Sequence, residues 1–100
     1  MREIKFRAWD AQHQQYLYFT PWDEMGQEQY VEWEQFTGLK DSVGKEIYEG
    51  DIICQSDGKY REVCFKSGSF GKGVDFDFHQ IWGDDTVIGN IYENPELLKP

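Results

Sequence analysis

Three residues in the run from Val74 to His79 have the types and spacing for chemistry. Asp75, Asp77 and His79 occupy alternate positions. In an extended strand that spacing puts all three side chains on one face, with successive Cβ atoms about 6.6–7 Å apart. Two carboxylates and an imidazole are suitable ligands for a divalent metal. Asp84 and Asp85 lie just beyond the next turn and would add oxygen ligands. A strand, however, holds such side chains parallel, not convergent. Alternation of polar residues with Val74, Phe76 and Phe78 is also what a solvated sheet face shows. The three residues therefore have two readings, a metal site and a wet face.

Nucleophilic catalysis has less to work with. A Ser or Cys nucleophile needs a base that a third group holds in place, and His13 and His79 are the two imidazoles in the chain. His13 sits in a polar turn. Cys54 is expected to be buried and inert, and Cys64 stands beside the acid Glu62, which raises a thiol pKa. The glycines and single Lys of Ser67 to Gly73 (SGSFGKG) suggest a phosphate loop, but the Walker spacing is missing and no Gly-Lys-Ser/Thr follows. There is no dinucleotide fingerprint and no zinc knuckle. No catalytic residue and no cofactor are assigned, and no positive signal favours an enzyme.

Composition narrows the partners. With 10 Lys and Arg against 19 Asp and Glu, the net charge is −9. Binding a phosphate backbone needs clustered bases, so direct nucleic-acid binding is disfavoured. It would require Arg2, Lys5, Arg7, Lys59, Arg61, Lys66 and Lys72 to converge on one face. Acidity suits solubility or a basic protein partner. Asp23 to Glu34 carries five acids and no base. That run is either a solvated segment or a surface that mimics nucleic acid in a basic groove. The alternative function is a divalent-metal protein or enzyme built on Asp75, Asp77 and His79.

Two cysteines are too few for a disulfide scaffold or a four-ligand zinc site. Met1-Arg2-Glu3-Ile4-Lys5 leads into no apolar signal segment, and no run approaches the roughly 20 apolar residues of a membrane span. The expectation is a soluble, intracellular, single domain spanning residues 1–100. Aromatic residues make up 17% of the chain and supply core area that so short a chain otherwise lacks. Those that do not fit inside, among Trp9, Trp22, Tyr30, Trp33 and Trp82, would mark a partner surface or close the ends of a small barrel.

The elements follow from period and punctuation. Glu3 to Trp9 alternates Ile4, Phe6 and Ala8 with Lys5, Arg7 and Trp9, the pattern of a half-buried strand. Tyr16 to Thr20 returns as its hairpin partner. Thr20-Pro21-Trp22-Asp23-Glu24 has the cap, Pro and acids of a helix start, which Gly26 would stop. Tyr30 to Phe36 alternates again. Asp57-Gly58 reads as a two-residue hairpin turn between Asp51 to Ser56 and Lys59 to Lys66. In that register Cys54 faces Arg61 and Cys64 faces Asp51. Ile52, Cys54, Val63 and Phe65 then form the core face, and the two cysteines lie on opposite sides. Ser67 to Gly73 is expected as a flexible loop. Strands are expected at Val74 to His79 and Thr86 to Ile91, and a short helical turn from Asn94-Pro95-Glu96 to Leu98.

Between these lies TGLKDSVGKEIYEGDII, Thr37 to Ile53. Asp41-Ser42-Val43-Gly44 is a turn, because Asp bonds its own downstream backbone and Gly accepts positive φ. At Gly50-Asp51 the chain turns a corner, with Asp51 able to bond nearby N–H groups. Asp51 could instead be a ligand or catalytic acid, but the corner already explains it. The fold expected is mainly β: a small, strongly bent antiparallel sheet or SH3-like barrel with one or two short helical turns.

This block, with the opening IKFRAWD (Ile4 to Asp10) and the closing VIGNIYENPELL (Val87 to Leu98), resembles the YopX family of bacteriophages and prophages. The resemblance implies a small, mainly β phage protein with no assigned biochemical function. It brings no catalytic residues, and it implies the cytoplasm of an infected or lysogenic bacterium as the setting.

Overall fold

A computed structural model describes residues 4–20, 33–66, 69–73, 80, 81 and 83–98. The fold is mainly β and antiparallel, as expected. Its strands are β1 (Phe6–Asp10), β2 (Gln15–Phe19), β3 (Trp33–Lys40), β4 (Glu46–Tyr48), β5 (Asp51–Cys54), β6 (Tyr60–Lys66), β7 (Ser69–Lys72) and β8 (Thr86–Asn90). Among the described residues they form two four-stranded sheets, ordered β2-β1-β3-β4 and β7-β6-β5-β8. A 3-10 turn at Pro95–Leu98 follows. The helix start expected after Thr20 and the strand from Val74 to His79 lie outside the described residues, as do Trp22, Tyr30 and Trp82.

The glycine corners behave as their chemistry dictates. Gly38, Gly44 and Gly50 all have positive φ, at 87°, 87° and 83°. Asp41 organises the turn after β3. Its Oδ1 accepts from the N–H groups of Val43 at 3.0 Å and Lys45 at 2.8 Å, and its Oδ2 from Val87 at 2.9 Å. One carboxylate thus closes a turn on the first sheet and ties it to β8 on the second. At Glu49-Gly50 the chain crosses between sheets. The Glu49 N–H donates to the Gln35 carbonyl, the Gly50 N–H to the Val63 carbonyl, and the Ile91 N–H to Gly50. Register breaks in β3 between Phe36 and Lys40, and in β5 between Ile52 and Ile53, add local bends. The core sits between the sheets: Ile47, Ile53, Val63 and Ile81, with Phe70 and Val87 packed against them.

The hairpin between β5 and β6 corrects the expected register by one residue. Cys54 pairs with Tyr60, Ile53 with Arg61 and Ile52 with Glu62. The Gly58 N–H donates to Gln55 and the Gln55 N–H to Lys59, closing a three-residue loop with Gly58 at φ 85°. A type I turn followed by a left-handed residue is the standard form of such a loop. Asp57 braces it by accepting from the Lys59 N–H at 3.0 Å. The core face is therefore that of Ile53 and Val63. Phe65 is 53% exposed and Cys54 half-buried. Cys54 and Cys64 now fall on the same side of the sheet, several residues apart, and they are not joined in a disulfide.

Two further corrections concern polar residues. The expected flexible loop from Ser67 to Gly73 contains β7, which pairs with β6 from Val63–Lys72 to Lys66–Ser69. In β1 the alternation is real, but the burial is not one-sided. Ile4 is 50% exposed, whereas Arg7 is 3% exposed. Phe6, Phe19 and Trp33 cover one face of the first sheet with ring centroids 5.0–5.9 Å apart. The opposite face carries Arg7.

Candidate functional site

Arg7 stands in β1 with Tyr18 of β2 on one flank and Glu34 of β3 on the other. A guanidinium inside a sheet face needs acceptors, because an unpaired buried charge is strongly unfavourable. Three are supplied. Nε donates to Glu34 Oε1 at 2.8 Å, and Nη2 donates to Asp51 Oδ1 at 2.8 Å and to the Glu49 carbonyl at 3.0 Å. The plane of the fork is covered by aromatic rings. Its central carbon lies 3.8 Å from the Tyr16 centroid and 4.8 Å from that of Tyr48. Such contacts contribute roughly 0.5–2 kcal/mol, more as water is excluded.

Asp51 faces Arg7 because of the corner before it. Its other oxygen accepts the Tyr48 N–H at 2.8 Å, so one side chain both fastens the corner and holds the cation. Gly50 leaves room for Glu34. A Cβ at position 50 would lie 1.9 Å from Glu34 Oε2. The backbone sign of φ and the packing of a carboxylate thus demand the same residue.

The electrostatics follow from one cation between two buried carboxylates. Burial pushes the Asp51 and Glu34 carboxyls upward, and Arg7 only partly offsets it. Burial also opposes the charge on Arg7, but Asp51, Tyr16 and Glu34 outweigh it, so its pKa is raised. Arg7 therefore stays protonated, and burial holds both carboxyls above their ordinary range. Burial raises the Tyr16 phenol as well. The Tyr16 hydroxyl lies beside Glu34, shut off from solvent, yet meets no partner at full hydrogen-bond geometry. Arg7 and Asp51 form the floor of an open cavity of about 300 Å³ between the sheets, also lined by Tyr16, Tyr18, Tyr48, Lys45, Asn90 and Glu93.

The residues singled out from the sequence fall elsewhere. Asp75, Asp77 and His79 lie outside the described residues. Asp84 is exposed in a turn. Asp85, named as a possible further metal ligand, is 1% exposed and accepts from Lys72 Nζ with both oxygens, at 2.9 and 2.7 Å. Among the described residues no group of three or more His, Cys, Asp or Glu is arranged to hold a metal ion. His13 is exposed, with its ring 2.7 Å from Asp10. The acidic run from Asp23 is described only from Trp33 onward, and there Glu34 faces inward. Of the bases that nucleic-acid binding would need on one face, Arg7 and Lys72 are buried in ion pairs, and Lys5 pairs with Glu46. No helix among the described residues is long and apolar enough to cross a membrane.

Sequence reasoning missed Arg7 because period alone put it on the wet face. A usable signal was present: Arg7 neighbours Trp9 in one strand, and the returning strand brings Tyr16 and Tyr18. A wet face has no reason to carry so many rings, and a long cation among them is a stacking partner.

Comparison with known proteins gives two findings and one negative. A solved structure described as protein EF1440 from Enterococcus faecalis matches with a TM-score of 0.66 and 29% identity, over 99% of this chain and 100% of that one. No curated protein matches the chain. The family model described as YopX protein matches residues 22–99. That range holds Glu34, Tyr48 and Asp51 of the site, and Arg7 and Tyr16 precede it. With most of its length matched by that model, the chain belongs to the YopX family.

Proposed function

We propose that this protein is a non-enzymatic interaction module, encoded by a phage or prophage and acting in the bacterial cytoplasm, that presents an acidic surface to a basic protein partner. In its sharpest form the module mimics nucleic acid and occupies a basic groove. The observation that supports this reading is where the charges go. The net charge is −9, and two of its cations, Arg7 and Lys72, are enclosed with their own carboxylates. These bases are unavailable to a phosphate backbone, and with them and their three carboxylates set aside the sequence still holds 8 Lys and Arg against 16 Asp and Glu.

The test is capture from bacterial lysate with the immobilised full chain at low and high salt. A basic protein retained at low ionic strength, released as salt rises and displaced by duplex DNA is the expected result. Recovery of no basic partner at either salt overturns the reading.

A further inference from the structure

The acids around the tyrosine-walled cavity are already engaged. Asp51 accepts with both oxygens, from Arg7 Nη2 and the Tyr48 N–H. Glu46 is held by Lys5, and Glu93 accepts from Asn90 Nδ2 at 2.9 Å. The donors are not. An arginine presents five N–H donors in a fixed fork. Nε and Nη2 of Arg7 point to Glu34, Glu49 and Asp51, whereas Nη1 meets no acceptor among the described residues. The Tyr48 hydroxyl and the Lys45 ammonium likewise meet none there. Arg7 and Tyr48 are each 3% exposed, and both line the cavity. Neither Arg7 Nη1 nor the Tyr48 hydroxyl is sealed from solvent, so each can reach an acceptor that enters the cavity.

We propose that this cavity binds a small, flat monocarboxylate, whose oxygens accept from Arg7 Nη1 and the Tyr48 hydroxyl. Lys45 stands at the rim, and the tyrosine rings pack on the ligand's body. Each part of the class follows from the site. A volume near 300 Å³ is at the lower end for ligand pockets. Tyr18 stands edge-on to Tyr48 at 5.5 Å and Tyr16 lies beside Arg7, so the walls are planar and apolar. An amine would meet Arg7 and Lys45. A dianion would meet Glu34 and Asp51 behind the guanidinium. A single carboxylate can accept from Arg7 Nη1 with one oxygen and from the Tyr48 hydroxyl with the other, and it is repelled by Asp51 less than a dianion is.

The experiment titrates benzoate, benzamide, phenyl phosphate and benzylamine into the isotope-labelled full chain and follows amide resonances by NMR. Benzoate is expected to give saturable shifts at Tyr48, Asp51, Gly89 and Asn90. Benzamide, which lacks the charge, should bind about tenfold more weakly. Tyr48→Phe should lower benzoate affinity about two- to tenfold, and Lys45→Ala, at an exposed position, about threefold. A short peptide ending in Phe carries the same ring and carboxylate. If it binds more tightly than benzoate, the natural source is a chain terminus; if more weakly, it is a free acid. No saturable shift with benzoate overturns the proposal. So does benzylamine or phenyl phosphate binding as tightly as benzoate, or unchanged affinity in both variants.

Discussion

Arg7 Nη2 and Asp51 Oδ1 meet at 2.8 Å across 44 positions of sequence, joining the second residue of β1 to the first of β5. The contact links the two sheets at the point where the chain crosses between them. It also binds a charge to a backbone corner, since Asp51 fastens the Tyr48 N–H with its other oxygen.

Removing the cation should therefore unfold more than a surface mutation would. Arg7→Met leaves Glu34 and Asp51 buried without their partner, a defect that typically destabilises by about 3–5 kcal/mol. Adding Glu34→Gln to Arg7→Met should recover part of the loss. Urea unfolding of both variants checks this, and a change below about 1 kcal/mol for Arg7→Met contradicts the structural role of Arg7 between Glu34 and Asp51.

Gly44 and Gly50 separate backbone strain from packing. Both have positive φ, at 87° and 83°. A Cβ at position 44 meets nothing within 4 Å, whereas one at position 50 meets Glu34 Oε2 at 1.9 Å. Gly44→Ala should cost about 1–2 kcal/mol from the left-handed conformation alone. Gly50→Ala should exceed it and displace Glu34 from Arg7. Thermal melts of the pair decide the order.

Stability should respond to acid through two groups of opposite sign. Burial works against the Asp41 charge, but the N–H groups of Val87, Lys45 and Val43 outweigh it and hold its pKa below the ordinary 3.8. Its contribution is present above that value and lost as the pH falls through the lower folded one. Glu34 and Asp51 lie above their ordinary 4.5 and 3.8. The folded state takes up their protons first, so their contribution grows as the pH falls from neutral and is complete below those values. Asp41→Asn should flatten the loss at the acid end. Glu34→Gln should flatten the gain above pH 4.5. Urea midpoints across pH test both.

Lys72 and Asp85 form a second enclosed pair, 2% and 1% exposed. Lys72→Met should destabilise by about 3–5 kcal/mol, and Lys72→Met with Asp85→Leu should be closer to the parent, because apolar replacement of both charges removes the desolvation penalty. A double-mutant cycle by chemical denaturation measures the coupling. Additive losses would mean the two charges do not depend on each other.

What short stretches of chain could settle was legible in them. The corners at Gly44 and Gly50, the bonding of Asp41 and Asp51 to nearby N–H groups, the turn around Asp57-Gly58 and the mainly β character all rest on chemistry within a few residues. What depended on partners far along the chain was not. Whether Arg7 faced water or a tyrosine stack depended on Glu34 and Asp51, 27 and 44 positions away. Whether Lys72 belonged to a loop or a strand depended on pairing with Val63 and on Asp85. A strand's period tells which side chains share a face, but it leaves open which face is enclosed. Here both faces of β1 are covered, one by rings and one by a charge with its counter-ions, and only the meeting of the two sheets makes the second kind of interior stable.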